Sequence, residues 1–210
     1  MGSQTGGMRL FFAVDLPEDL KAEVGKLQTS LSRRMADPTI RWVRPALFHY
    51  TLKFLGDLNQ ARAQAAIEAV EPVCKAAAPF TLRLAGLGAF PSPSRPSVVW
   101  IGASEGADDF TSLAQTIDQA LARVRFRMES RPPTAHLTLA RIKTYAAEVS
   151  VSAGLQRIEI GEIGAFRVER IVLMRSVLSP AEPDYTAVEA FALRGTAAEQ
   201  RPGGDIMDGQ

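Results

Sequence analysis

"HYTLKFLG", residues 49–56, places one of the chain's only two histidines two residues before a threonine and three before a leucine. The pattern recurs once, in "HLTLARI" from His136. Given this chain's share of threonine and leucine, the chance that both histidines are followed by x-Thr-Leu is on the order of 10⁻⁵ to 10⁻⁴, so the doubled motif carries information that one copy would not. On a strand, side chains two apart share a face. His49, Thr51 and Lys53 then project one way and Tyr50, Leu52 and Phe54 the other, just as His136 and Thr138 project opposite Leu137 and Leu139. Two strands of this kind, each with one polar face, predict two similar lobes descended from a duplication, with the polar faces looking at each other across a cleft.

The flanking sequence supports this reading. "RLFFAVDL" (9–16), "RWVRP", "FTLRLAGLGAF", "SVVWIGAS", a segment at about 157–163, "RVERIVLMRSVL" and "YTAVEAFAL" read as strands. Helical patterns follow Pro17, run from about Asn59 to Ala77 with Asp57 and Asn59 as N-cap candidates, extend from about Ala107 to Phe126, and recur near 146–153. "PSPSRP" reads as a turn-rich loop. Strands and helices mix without strict β-α alternation, which predicts an α+β fold. Its antiparallel sheets would form two pseudo-symmetric lobes flanking a central cleft, with helices outside, in a single bilobal domain over 8–197. "MGSQTGG" (1–7) resembles an expression scar, and 198–210 lack apolar periodicity, as a disordered tail does.

Composition narrows the function classes. In 210 residues, 46% are hydrophobic and 22% charged, the balance of a soluble globular protein. The 24 basic and 23 acidic side chains leave a net charge of +1, too even for a protein that wraps a long polyanion by bulk charge. Any nucleic-acid contact is then local, drawing on Arg141, Lys53, the two threonines and limited stacking. The single cysteine, Cys74, excludes an internal disulfide and a cysteine-rich zinc site, and its helical surroundings mark it as a small buried hydrophobe. No apolar run approaches the roughly 20 residues of a membrane span. A cytoplasmic monomer that touches no membrane is expected.

Two imidazoles and two hydroxyls suit displacement at phosphorus. One neutral imidazole removes a proton from the attacking oxygen, and the other, protonated, gives one to the leaving oxygen. A reference pKa of about 6.5 lets both forms coexist near neutral pH without a metal or other cofactor. The threonine hydroxyls can donate to non-bridging phosphate oxygens. Arg141 is the leading candidate for a basic partner, although it lies five residues after His136 and by strict alternation faces away. A bulge, a strand end or strong twist would have to bring it round, and an arginine paired on the outer face is the alternative. Competing readings are two histidines hydrogen-bonded inside sheets, a metal-dependent phosphoesterase with Asp57 as a further ligand, a hydrolase built on Cys74, and a non-catalytic module binding RNA ends or nucleotides.

The two motifs resemble the paired H-x-T-x motifs of the two-histidine phosphoesterase superfamily, in particular the bacterial and archaeal RNA 2′,3′-cyclic phosphodiesterases once called 2′-5′ RNA ligases. The similarity extends through "RLFFAVDLP", "RWVRPALFHYTLKFLG", "SVVWIG" and the tyrosine of "PDYTAV". It implies hydrolysis of a terminal 2′,3′-cyclic phosphate to a 2′-phosphate, with His49 as proton donor to the leaving 3′ oxygen and His136 as the base that activates water. It further implies substrate contacts from Thr51, Thr138 and Arg141, and a base-stacking role for Phe11 against the alternative of a core phenylalanine. Implied partners are RNA ends, tRNA fragments among them, or small cyclic nucleotides. Reverse 2′-5′ joining is implied by the family name.

Overall fold

The unbroken apolar run at the start of the chain forms a central strand, β1 (Met8–Asp15), buried from Leu10 to Val14. This computed structural model describes residues 8–131, 133–177 and 183–196; the segments read as a scar and a tail lie outside them. After β1 come α1 (Glu18–Arg34), β2 (Arg41–Trp42), a 3-10 turn (Pro45–Leu47), β3 (His49–Leu58) and α2 (Gln60–Ala76). Asn59 caps α2, its side chain accepting from the Arg62 amide at 2.9 Å. Then follow β4 (Phe80–Ser92), β5 (Arg95–Glu105), α3 (Ala107–Arg123), β6 (Leu137–Arg141), α4 (Tyr145–Leu155), β7 (Glu162–Val168), β8 (Arg170–Val177) and β9 (Asp184–Ala192).

Among the described residues the strands form one nine-stranded antiparallel sheet in the order β7-β4-β5-β6-β3-β1-β8-β9, with β2 paired to β6. The fold is α+β, and its two antiparallel halves, β7-β4-β5-β6 and β3-β1-β8-β9, join where the histidine strands meet. That junction is a single pair, Tyr50 with Leu137. Beyond it β2 takes the edge of β6, through Arg41 with Arg141 and Trp42 with Ala140, so β3 and β6 part company. Tyr50 and Leu137 are both fully buried beneath the junction, and the Tyr50 hydroxyl donates to the Gly102 carbonyl at 3.0 Å while its ring meets Phe110 of α3. Helix α3 therefore covers the sheet face opposite the histidines.

Several boundaries differ from the sequence reading. The strand expected at 157–163 forms instead at Glu162–Val168, and the single strand expected from Arg167 onward is divided at Glu169 into β7 and β8. The hairpin of β4 and β5 continues into "PSPSRP", with Ser92 opposite Arg95. Helix α3 stops at Arg123, short of Phe126, because the chain turns there: the Arg125 amide donates to Ala122 and the Phe126 amide to Leu121, and Arg125 lies at φ 65°. This is a Schellman ending with arginine at the left-handed position that glycine usually takes.

Gly106, at the start of α3, sits at φ 75°, and a Cβ there would lie 2.0 Å from the Thr81 carbonyl oxygen. The left-handed backbone alone costs a non-glycine residue about 1–2 kcal/mol, and the backbone contact adds to it. Gly106→Ala is expected to lower the unfolding free energy by at least about 1–2 kcal/mol in a denaturant titration; an unchanged midpoint would mean that the β5–α3 turn relaxes freely.

Candidate active site

The junction register sets the geometry of the site. With Tyr50 opposite Leu137 in an antiparallel pair, His49 falls beside Thr138 and Thr51 beside His136, all four on one face. Both imidazoles are anchored identically. His49 Nδ1 lies 2.8 Å from the Leu47 carbonyl and His136 Nδ1 lies 2.8 Å from the Thr134 carbonyl, each two residues upstream. A carbonyl can only accept, so each Nδ1 carries the hydrogen and each Nε2 is left for chemistry. At His49, Nε2 meets the Thr51 hydroxyl at 3.0 Å.

Each histidine strand carries a β-bulge at the same point of its motif. Between β1 and β3, Phe12 pairs with Lys53 but Ala13 pairs with Thr51, leaving Leu52 extra. Between β5 and β6, Val99 pairs with Ala140 but Trp100 pairs with Thr138, leaving Leu139 extra. A bulge adds one residue and so reverses the alternation beyond it. In β6 this buries Ala140 and turns Arg141 out on the histidine face, close enough for its charge to act on His136 and Tyr185. The bulge is held in place: the Leu139 carbonyl accepts from the Val43 amide at 2.8 Å and from Gln28 Nε2 of α1 at 3.0 Å.

In β3 the same bulge overturns the expected placement of Lys53. Instead of sharing the face of His49 and Thr51, Lys53 is buried on the helix side, with Nζ 2.7 Å from Asp118 Oδ1, 2.9 Å from Glu129 Oε1 and 2.7 Å from the Arg127 carbonyl. It is a structural cation, unavailable to a ligand in the cleft. Phe54 takes the outward position, five residues after His49 as Arg141 is five after His136, and is 60% exposed.

Aromatic rings wall both histidines. Phe11 is 5.0 Å from His49, 5.0 Å from Tyr185 and 5.8 Å from Phe54, and Tyr185 is 5.3 Å from His49. Phe90 and Trp100 stand 5.0 and 6.4 Å from His136. Phe11 is only 2% exposed, so the stacking role expected for it needs correction: covered by His49, Tyr185 and Phe54, it is a floor beneath the cleft with no open face for a base. The open aromatic surfaces at the site are Phe54 and parts of Tyr185, Phe90 and Trp100. Sequence reasoning gave no role to Phe54, Tyr185, Phe90 or Trp100; the matching offsets of Phe54 and Arg141 were the available signal.

Burial holds both imidazole pKa values below the ordinary histidine value, opposed in each by the hydrogen bond to the upstream carbonyl. At His49 the field of Asp15, opposite it in the sheet, favours the protonated ring and is countered by His136 and Lys21; at His136 the charge of Arg141 favours the neutral ring. Burial pushes the Cys74 thiol up to about 12, as suits a core side chain and not a nucleophile. Among the described residues, no three His, Cys, Asp or Glu side chains are grouped to hold a metal ion. No helix among them is long and apolar enough to cross a membrane.

Two histidines with matching tautomers and two hydroxyls on one sheet face are groups that acid–base chemistry at phosphorus can use. The sequence profile of the family described as LigT like Phosphoesterase matches the chain twice in succession, over residues 14–100 and 101–185, one match per histidine motif. The chain belongs to this LigT-like phosphoesterase family. It is 34% identical over 186 residues to the RNA 2′,3′-cyclic phosphodiesterase of Methanothermobacter thermautotrophicus, covering 89% of this chain and 99% of that one. It is 37% identical over 156 residues to the enzyme of the same name from Aquifex aeolicus, covering 74% and 82%. A solved Thermus thermophilus structure superposes with a TM-score of 0.74 at 33% identity, covering 90% of this chain and 99% of that chain. Escherichia coli LigT in complex with 3′-AMP gives a TM-score of 0.72 at 25% identity, covering 89% and 98%.

Proposed function

We propose that the protein hydrolyses terminal 2′,3′-cyclic phosphates of RNA to 2′-phosphates without a metal. Water attacks phosphorus and passes a proton to His136 Nε2; the bond to O3′ breaks as His49 Nε2–H delivers its proton to that oxygen. Thr51, Thr138 and Arg141 hold the non-bridging oxygens, where the transition state spreads its charge. The terminal base lies against Tyr185 and Phe54. A ribose 5′-hydroxyl in place of water would yield a 2′-5′ linkage through the same two proton transfers.

The observation that carries this reading is the common station of the two imidazoles: each is tied through Nδ1 to the carbonyl two residues upstream, and each Nε2 is left on the face that also carries Thr51 and Thr138. Asp15 lies opposite His49 in the sheet and the charge of Arg141 reaches His136, and on that placement the acid is assigned to His49 and the base to His136. The names of the relatives in M. thermautotrophicus and A. aeolicus supply the substrate class.

The test is turnover of a dinucleotide ending in a 2′,3′-cyclic phosphate, followed across pH with chelator in excess. kcat/KM is expected to rise as the base loses its proton and fall as the acid does. Because burial holds both imidazoles below the usual value, the bell should centre on the acid side of about 6.5. Bound phosphate favours imidazolium, so the kcat profile should lie higher in pH than that of kcat/KM. Binding without turnover would make the protein an RNA-end binder, and activity lost to chelator and restored by zinc would make it a metal-dependent phosphoesterase.

A further inference from the structure

Beyond Phe54 the sheet leads into a cavity of about 420 Å³ between the end of β3 and the segment that follows α3. Phe54 and Met128, 60% and 53% exposed, border it together with Leu55, Phe126, Arg127 and Ser130. Phe54, at its border, stands two ring contacts from His49, 5.8 Å from Phe11 and then 5.0 Å from Phe11 to His49. One wall is residues 126–130, with Arg127 as its lining arginine, from the segment "RVRFRMESR" (123–131), in which four arginines accompany one acid. That acid, Glu129, is already paired with Lys53. Arg125, Arg127 and Arg131 are exposed, and none has a carboxylate partner among the described residues.

Arg125 points to a requirement other than stability. It occupies the left-handed position of the α3 ending, which glycine would fill without strain, and the turn is braced around it. Arg62 donates to the Val124 carbonyl at 2.7 Å and the Arg125 carbonyl at 3.1 Å, with its guanidinium 4.0 Å over the Phe126 ring. The arrangement fixes the segment and directs an uncompensated arginine to the surface at a site where a side chain is disfavoured.

We propose that this cavity and its arginine segment form a subsite for the nucleotides immediately upstream of the RNA end, resting on the reading that the end itself lies between the histidines. Exposed Phe54 and Met128 offer apolar surface to a base, and the arginines take the phosphodiesters on either side of it, the combination by which single strands are held without sequence preference. The subsite is local, as a net charge of +1 demands. It grips a strand a few nucleotides long and leaves a mononucleotide untouched.

The triple variant R125G/R127Q/R131Q tests this against the unaltered protein, using a nucleoside 2′,3′-cyclic phosphate and a tetranucleotide with the same end. For the tetranucleotide, kcat/KM should fall roughly tenfold or more and the log-log salt dependence should flatten by about one to two, since each single-strand phosphate contact contributes about 0.7 to the slope. For the mononucleotide it should stay within about twofold, because no upstream phosphate is present. The melting temperature should hold or rise, because glycine relieves the left-handed turn. A parallel binding titration with a 3′-phosphorylated tetranucleotide decides the matter independently of turnover. Equal affinity of variant and unaltered protein overturns the subsite, as does an equal loss for both cyclic-phosphate substrates. Tight, arginine-dependent binding with no turnover of either substrate upholds the subsite and overturns the catalytic reading.

Discussion

Alanine at His136 should lower kcat for a cyclic-phosphate dinucleotide by about 10² to 10⁴, the usual worth of a positioned general base. Alanine at His49 should do the same for loss of the acid. Neither change should unfold the protein. His136 is half-buried at the cleft, and its hydrogen bond is to a carbonyl two residues away, not to another element. The double variant should be little worse than the poorer single one, because an acid and a base serving one transition state are not additive. Steady-state kinetics with detection of the 2′-phosphate product checks all three proteins. A single variant with near-full turnover would dissolve the pairing of roles, since each imidazole occupies an equivalent station at the junction of β3 and β6.

This equivalence explains why the site was partly legible in the sequence. A doubled H-x-T motif is a local pattern, and strand alternation is local physics, so the common face of His49, Thr51, His136 and Thr138 follows from counting residues. The duplication was legible for the same reason, and the family profile follows it, matching once per motif. Asn59 as the cap of α2 is likewise a local signal.

Where the reading erred, the cause is pairing between distant strands. The bulges at Leu52 and Leu139 exist only relative to β1 and β5, and nothing in "TLK" or "TLA" announces an unpaired residue. Yet one extra residue in each motif decides which side chains beyond it reach the cleft. It turns Arg141 toward His136 and takes Lys53 away from His49. Strict alternation therefore misplaced Lys53 and left Arg141 undecided. The burial of Phe11 is similarly tertiary. Tyr185 covers it from β9, two strands away across β8, a contact that no spacing rule relates to residue 11. The continuity of the two halves in one sheet rests on a single residue pair and could not be read from either motif alone.

The largest stability effect should come from Lys53, whose charge the bulge delivers to the interior. Lys53 Nζ joins Asp118 of α3, Glu129 and the Arg127 carbonyl, while Asp118 Oδ2 accepts from the Glu129 amide at 2.8 Å. Strand β3, helix α3 and the segment leading toward His136 are thus tied at one point. The Lys53–Asp118 contact is close but poorly directed, so Asp118 Oδ1 gains charge compensation and no well-aligned hydrogen bond. Lys53→Met keeps the aliphatic stem and removes the cation, stranding a carboxylate whose side chain is 11% exposed. Breaking a buried pair in this way costs about 3–5 kcal/mol. At 2–4 °C per kcal/mol for a chain of this size, the melting temperature should drop by roughly 6–20 °C. Replacing both partners, Lys53→Met with Asp118→Leu, removes the stranded charge and should recover most of the loss, because buried pairs exchange for apolar groups at little net cost. Calorimetry on the two single variants and the double variant completes the cycle. If Lys53→Met melts within a degree or two of the unaltered protein, the cation is dispensable to the fold, and its burial beside the cavity would call for a functional explanation.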